Sequence, residues 1–85
     1  MTFLPASFLN HENAAQQLAA GLTAIKKGQT TIVFSQTTTI DSSAVACIVA
    51  WRRCAQTQGS KLELLQLPAN LHSLMVLYGV DALLS

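Results

Sequence analysis

Charge is what this sequence has least of. Only 11% of its 85 residues are charged and 51% are hydrophobic, a lean ratio for a domain whose whole surface meets water. Some of the apolar surface is therefore expected to meet a partner or a second copy. Five Lys and Arg against four Asp and Glu leave a formal charge of +1, and no basic cluster is longer than Lys26-Lys27 or Arg52-Arg53. Nucleic-acid binding has little electrostatic support on that balance. Long apolar runs are missing too. The longest, Ala44 to Trp51, stops at Arg52-Arg53 and is far too short to cross a bilayer. The N-terminus has neither the basic start nor the sustained apolar core of a signal peptide.

Cysteine is scarce, and its spacing excludes a local disulfide. Cys47 and Cys54 fall on one expected helix, where a rise of 1.5 Å per residue separates their backbones by roughly 10 Å, beyond disulfide reach. Both are expected as free thiols in a reducing compartment, the cytoplasm. Catalytic groupings are absent as well. The histidines are His11, beside a helix start, and His72, on the exposed side of the last helix, and neither stands in a context that would activate a serine. The four Cys and His residues show no metal-ligand spacing, and no glycine-rich phosphate loop follows a strand. An enzyme is the least expected class, with no metal and no cofactor.

What is present alternates strand and helix. Thr2 to Leu9 holds Phe3, Leu4, Phe8 and Leu9 around Pro5 and predicts a short strand at a sheet edge. Asn10 to Asn13 offer caps for a helix in which Ala15, Leu18, Ala19, Leu22 and Ile25 recur at helical spacing up to Lys26-Lys27-Gly28. Thr30 to Ser35 reads as a central strand covered on both faces. A polar loop, Gln36 to Thr39, leads to a second helix from about Ser43 to Gln58, apolar nearly all round in its first half and closed by Gly59. Lys61 to Leu67 predicts another strand ending at Pro68. Leu71, Leu74, Met75 and Tyr78 mark a third helix stopped at Gly79, and Val80 to Leu84 a last turn or short strand. The chain is thus expected to fold as one α/β domain over residues 1–85, a parallel or mixed sheet with about three helices packed on it. Ile32, Phe34, Val45, Leu62, Leu64 and Leu74 are its expected core.

The stretch Thr39-Ile40-Asp41-Ser42-Ser43-Ala44-Val45 is where a strand and loop end and the long apolar helix begins. Asp41 and Ser42 are both good capping types, and the amides of a first helical turn favour an anion. A phosphate added to Ser42 would lie near the positive end of the helix dipole and change what the surface binds.

Taken together, Thr31-Ile32-Val33-Phe34-Ser35, the motif Ile40-Asp41-Ser42-Ser43-Ala44, the helix to Gln58-Gly59, the strand Leu62-Glu63-Leu64 and the run Leu74-Met75-Val76-Leu77-Tyr78-Gly79-Val80 resemble the STAS domain of sulfate transporters and anti-sigma factor antagonists. The resemblance covers roughly residues 30–82. Within that family the sequence looks most like the STAS subunit of the Mla-type ABC transporter that maintains outer-membrane lipid asymmetry. It departs from the family at Val33, where Asp is frequent, and at Ala44, where Gly is frequent. The usual first strand has almost no chain to form it, so the sheet is expected to be one strand short, with an edge that a partner or second copy could cover.

By that resemblance Ser42 occupies the position of the phosphorylated serine of anti-sigma antagonists and of a needed threonine in the transporter subunit, with Asp41 and Ser43 as its flanking motif residues. The implied function is a non-enzymatic subunit that binds and regulates the cytoplasmic ATPase of a phospholipid ABC transporter, touching the membrane only through that complex at the inner membrane. The alternative is an anti-sigma factor antagonist switched by phosphorylation of Ser42 through a protein kinase partner. Under either reading the partner is expected to meet Asp41, Ser42 and Ser43 together with an apolar helix face formed by Ala44, Cys47, Ile48 and Trp51.

Overall fold

A computed structural model describes residues 2–79, and the expected last element, Val80 to Leu84, lies outside the described residues. The strand expected over Thr2 to Leu9 is two short strands, β1 (Thr2–Phe3) and β2 (Phe8–Leu9). Pro5 divides them, because its ring fixes φ and it has no N–H to donate to a ladder. They are followed by α1 (Ala14–Lys26), β3 (Thr31–Val33), β4 (Thr39–Ile40), α2 (Ser42–Thr57), β5 (Glu63–Leu65) and α3 (Ala69–Leu77). The class is α/β with three helices among the described residues. Their bounds lie within two residues of those that the apolar spacing marks.

All strand pairings among the described residues are parallel, and they fall in two small sheets. One has the order β1-β3-β5, with Thr2 opposite Thr31, Ile32 opposite Leu64 and Val33 opposite Leu65. The other pairs β2 with β4, Phe8 opposite Thr39 and Leu9 opposite Ile40. The polar loop expected to run to Thr39 thus ends one residue earlier, in a strand too short to show a periodicity of its own. The bend between the sheets is tied by side chains. Gln36 Nε2 donates to the Pro5 carbonyl at 2.7 Å, and the buried Thr37 hydroxyl donates to the Ala6 carbonyl at 2.9 Å.

Side chains alternate across a strand, so Phe3, Ile32 and Leu64 form one row and Thr31, Val33, Glu63 and Leu65 belong to the opposite face. The first row faces the helices: the Phe3 and Trp51 rings meet edge to face, 5.6 Å between centroids at 76°. The central strand is accordingly buried on one face, at Ile32 and Phe34, and only half-buried at Thr31 and Val33. Helices α1 and α2 pack against each other and α3 packs on α2. The core holds Leu9, Ile25, Ile32, Phe34, Val45, Ile48, Leu71 and Met75 around Trp51, with Leu62, Leu64 and Leu74 half-buried at its margin.

Trp51 lies where the layers meet. Its indole N–H donates to the Leu18 carbonyl on α1 at 3.1 Å. Gly21, one turn further along α1, is buried beside the same ring, and a Cβ there would overlap Trp51 Nε1 and Cε2. A helix-weakening glycine mid-helix is thus the residue that lets α1 and α2 approach so closely.

Candidate functional site

Two parallel strands end side by side and each feeds a helix. The carboxyl ends of β2 and β4 carry Asn10-His11 and Asp41-Ser42, and the Asp41 amide donates to the Leu9 carbonyl at 3.3 Å, closing the pair. Open α/β sheets commonly bind at such carboxyl edges. On the β2 side, buried Asn13 holds the turn into α1: its Oδ1 accepts from the Asn10 amide at 3.1 Å and its Nδ2 donates to the Phe8 carbonyl at 2.8 Å.

On the β4 side the helix cap is Asp41. Its backbone is extended, and its Oδ1 accepts from the Ser43 amide at 2.8 Å. The other carboxylate oxygen reaches across thirty positions of sequence: Oδ2 accepts from the His11 amide at 3.0 Å and lies 3.2 Å from His11 Nδ1, which donates in the tautomer that carries its proton there. Partial desolvation pushes the Asp41 pKa up, but the hydrogen bonds from His11 and Ser43 outweigh it and hold the value at about 2, against an ordinary 3.8. The carboxylate therefore stays charged and engaged, joining the start of α2 to the β2–α1 turn.

Ser42, the first residue of α2, is exposed, and Ser43 beside it is half-buried. Asp41 rather than Ser42 supplies the side-chain cap, so the Ser42 hydroxyl is not needed to start the helix. One helical turn on, Ala46 is exposed, then Val49 and Ala50 are half-buried and Arg53 is exposed. The open side of α2 is thus a shallow strip of small side chains running from Ser42 to Arg53.

The apolar partner-facing residues expected on this helix require correction. Ala44, Ile48 and Trp51 are fully buried and Cys47 is 3% exposed, all packed inside the chain's own core. These four lie where α2 packs on α1, on α3 and on Phe3 of the sheet, leaving none of the four for a partner. Cys47 and Cys54 are both free thiols. Burial pushes the Cys47 thiol pKa up, and the negative charge of Asp41 adds to that shift. His72 is exposed on α3, and no group of His, Cys, Asp and Glu with metal-binding geometry occurs among the described residues.

Sequence reasoning missed His11 as part of this site. The signal was faint: a histidine two residues after a short apolar strand, whose partner becomes visible only when β2 and β4 are known to run side by side.

Comparison with known proteins adds one positive finding. A family model described as Mlab, STAS domain matches residues 6–85. Neither a curated protein nor a solved structure matches the chain.

Proposed function

Because the chain belongs to the STAS domain family, whose members generally mediate protein–protein contacts, we propose that it is a non-enzymatic subunit docking on the cytoplasmic ATPase of a phospholipid ABC transporter that maintains outer-membrane lipid asymmetry. The contact is centred on Ser42, with Ser43 and the strip Ala46, Val49, Ala50 and Arg53 beside it. Asp41 positions the contact rather than forming it, since its carboxylate is held by His11 and Ser43.

The observation that carries this reading is the exposed Ser42 at the first position of a helix already capped by its neighbour. A hydroxyl relieved of capping is available to a partner, and the small side chains that follow let a partner helix approach closely, because interaxial distance is set by the residues at the contact. The chain works in the cytoplasm on this account and reaches the inner membrane only through the complex. Among the described residues, no helix is long and apolar enough to cross a membrane.

The exposure of Ser42 also suits a protein kinase, which is the one observation favouring an anti-sigma factor antagonist as the second reading. Phosphate would add about −1.5 to −2 charges beside the Asp41 carboxylate and oppose docking. Affinity purification of the full chain from its native cytoplasm separates the two. Stoichiometric recovery of an ABC ATPase supports the transporter reading; recovery of a protein kinase in its place replaces it with the second.

A further inference from the structure

The His11 side chain is 78% exposed, yet its ring and its backbone amide are both tied to one carboxylate oxygen, Asp41 Oδ2, at 3.2 and 3.0 Å. A side-chain contact so open to water adds little to stability. What it fixes is the ring. An ionised carboxylate can only accept, so in the neutral imidazole the proton sits on Nδ1 and the lone pair is left on Nε2, the nitrogen not engaged by Asp41. An oriented acceptor thus stands in solvent one residue from Ser42.

The fold also sorts the charges around it. The Ala14, Leu18 and Ile25 carbonyls of α1 accept from Cys47, Trp51 and Gln58, each pair thirty-three residues apart, so α1 and α2 run side by side in the same direction. Both helices therefore start at the His11 end. At 1.5 Å per residue, Lys26 lies about 18 Å along α1 and Arg52 about 15 Å along α2, with Lys27, Arg53 and Lys61 further still. The formal charges at the start, among the described residues, are negative: Asp41 and the exposed Glu12.

We propose that His11 Nε2 accepts a hydrogen bond from a basic side chain, Lys or Arg, of the ABC ATPase, which makes His11 a second polar anchor beside Ser42. The inference rests on the docking reading above and adds the chemistry of the partner's contact. An ammonium or guanidinium group carries donors and no acceptor, which suits the lone pair, and its charge is favoured by Asp41 and Glu12. A partner carboxylate would meet both of these as like charges. Because Asp41 already holds the ring, little side-chain freedom is lost when the partner docks.

Binding titrations of the full chain against the purified ABC ATPase test this, with a thermal melt of each variant. His11→Asn keeps an amide donor for Asp41 but has no atom in place of Nε2, so affinity should fall about fivefold or more while Tm stays within about 2 °C of wild type. His11→Gln extends an amide oxygen to the Nε2 position and should bind more tightly than His11→Asn. Glu12→Lys sets a cation beside the ring and should weaken binding about threefold or more, with the larger loss at low salt. Wild-type affinity in His11→Asn or in Glu12→Lys overturns the proposal, as does a His11→Gln chain that binds no better than His11→Asn. Ser42→Asp measured in the same series keeps the two readings apart. A loss there with none in His11→Asn overturns this inference and leaves the docking reading standing, whereas a wild-type chain that does not bind the ATPase overturns both.

Discussion

Gly21→Ala is the substitution on which helix propensity and packing disagree in sign. Replacing a mid-helix glycine by alanine should stabilise α1 by about 1 kcal/mol if the helix were free. In this fold the new Cβ overlaps Trp51 Nε1 and Cε2, ring atoms of a side chain with no exposed surface and no flexible end to move. Overpacking of this kind costs typically about 1 to 3 kcal/mol. Displacing the ring also breaks the bond from its N–H to Leu18, and a buried donor left unpaired costs about 1 to 3 kcal/mol more. After subtracting the propensity gain, the net loss is about 1 to 5 kcal/mol, equivalent to a fall in Tm of at least about 4 °C for a domain of this size. Urea melts followed by far-ultraviolet circular dichroism give the number. A control at exposed Ala20, as Ala20→Gly, should cost about 1 kcal/mol through propensity alone. In a Trp51→Phe background the smaller ring leaves room, so the same Gly21→Ala step should cost less than in wild type. A Gly21→Ala chain as stable as wild type, or more stable, would refute the close packing of α1 on α2.

Phe34, 1% exposed beside Ile32, should lose about 3 to 5 kcal/mol on truncation to alanine, and a loss under about 1 kcal/mol in denaturant melts would place it outside the core. Ser42→Ala should change stability by less than about 0.5 kcal/mol, because Asp41 carries the cap and surface substitutions away from special contacts are nearly neutral; a melt shifted by more would make Ser42 a second cap. The folded Asp41 pKa lies near 2, below its ordinary 3.8, so its contribution to stability is complete above pH 3.8 and is lost as pH falls toward 2. Asp41→Asn should therefore flatten the stability profile in that window, and an unchanged acid limb would contradict the His11 and Ser43 bonds. Cys54, half-buried, should react with a thiol reagent before Cys47, whose thiol is buried and has a raised pKa; equal rates in the native chain would contradict the burial of Cys47.

The three helices were legible in the sequence because their apolar residues recur at helical spacing and glycines follow their ends, at Gly28, Gly59 and Gly79, all with positive φ. The short strands were less so. Two-residue strands such as β1, β2 and β4 cannot display a period, and only Pro5 hinted that the first strand divides. Asp41, Ser42 and Ser43 were visible as a helix start, and the structure assigns the side-chain cap to Asp41. The apolar first half of α2 correctly signalled cover on several faces, but sequence alone does not say whether that cover is internal. Here α1, α3 and Phe3 of the sheet supply it, so Ala44, Cys47, Ile48 and Trp51 lie inside. Gly21 and the His11–Asp41 link escaped notice for one reason: each matters through a residue far away in sequence, Trp51 or Asp41, and no local pattern records such a pairing.

Whether Ser42 faces a protein partner, as proposed, without supporting the fold is decided by two measurements on one substitution. Ser42→Asp places an anion at a helix N-terminus, which tolerates it, but at the proposed contact, once desolvated by a partner, an unpaired charge is costly. Thermal melts and binding titrations against the purified ABC ATPase are compared for wild type, Ser42→Ala and Ser42→Asp. A Tm within about 2 °C of wild type is expected for both variants, in keeping with a near-neutral surface change, with a loss of affinity of about tenfold or more for Ser42→Asp. Unchanged affinity in Ser42→Asp with the fold intact would contradict it.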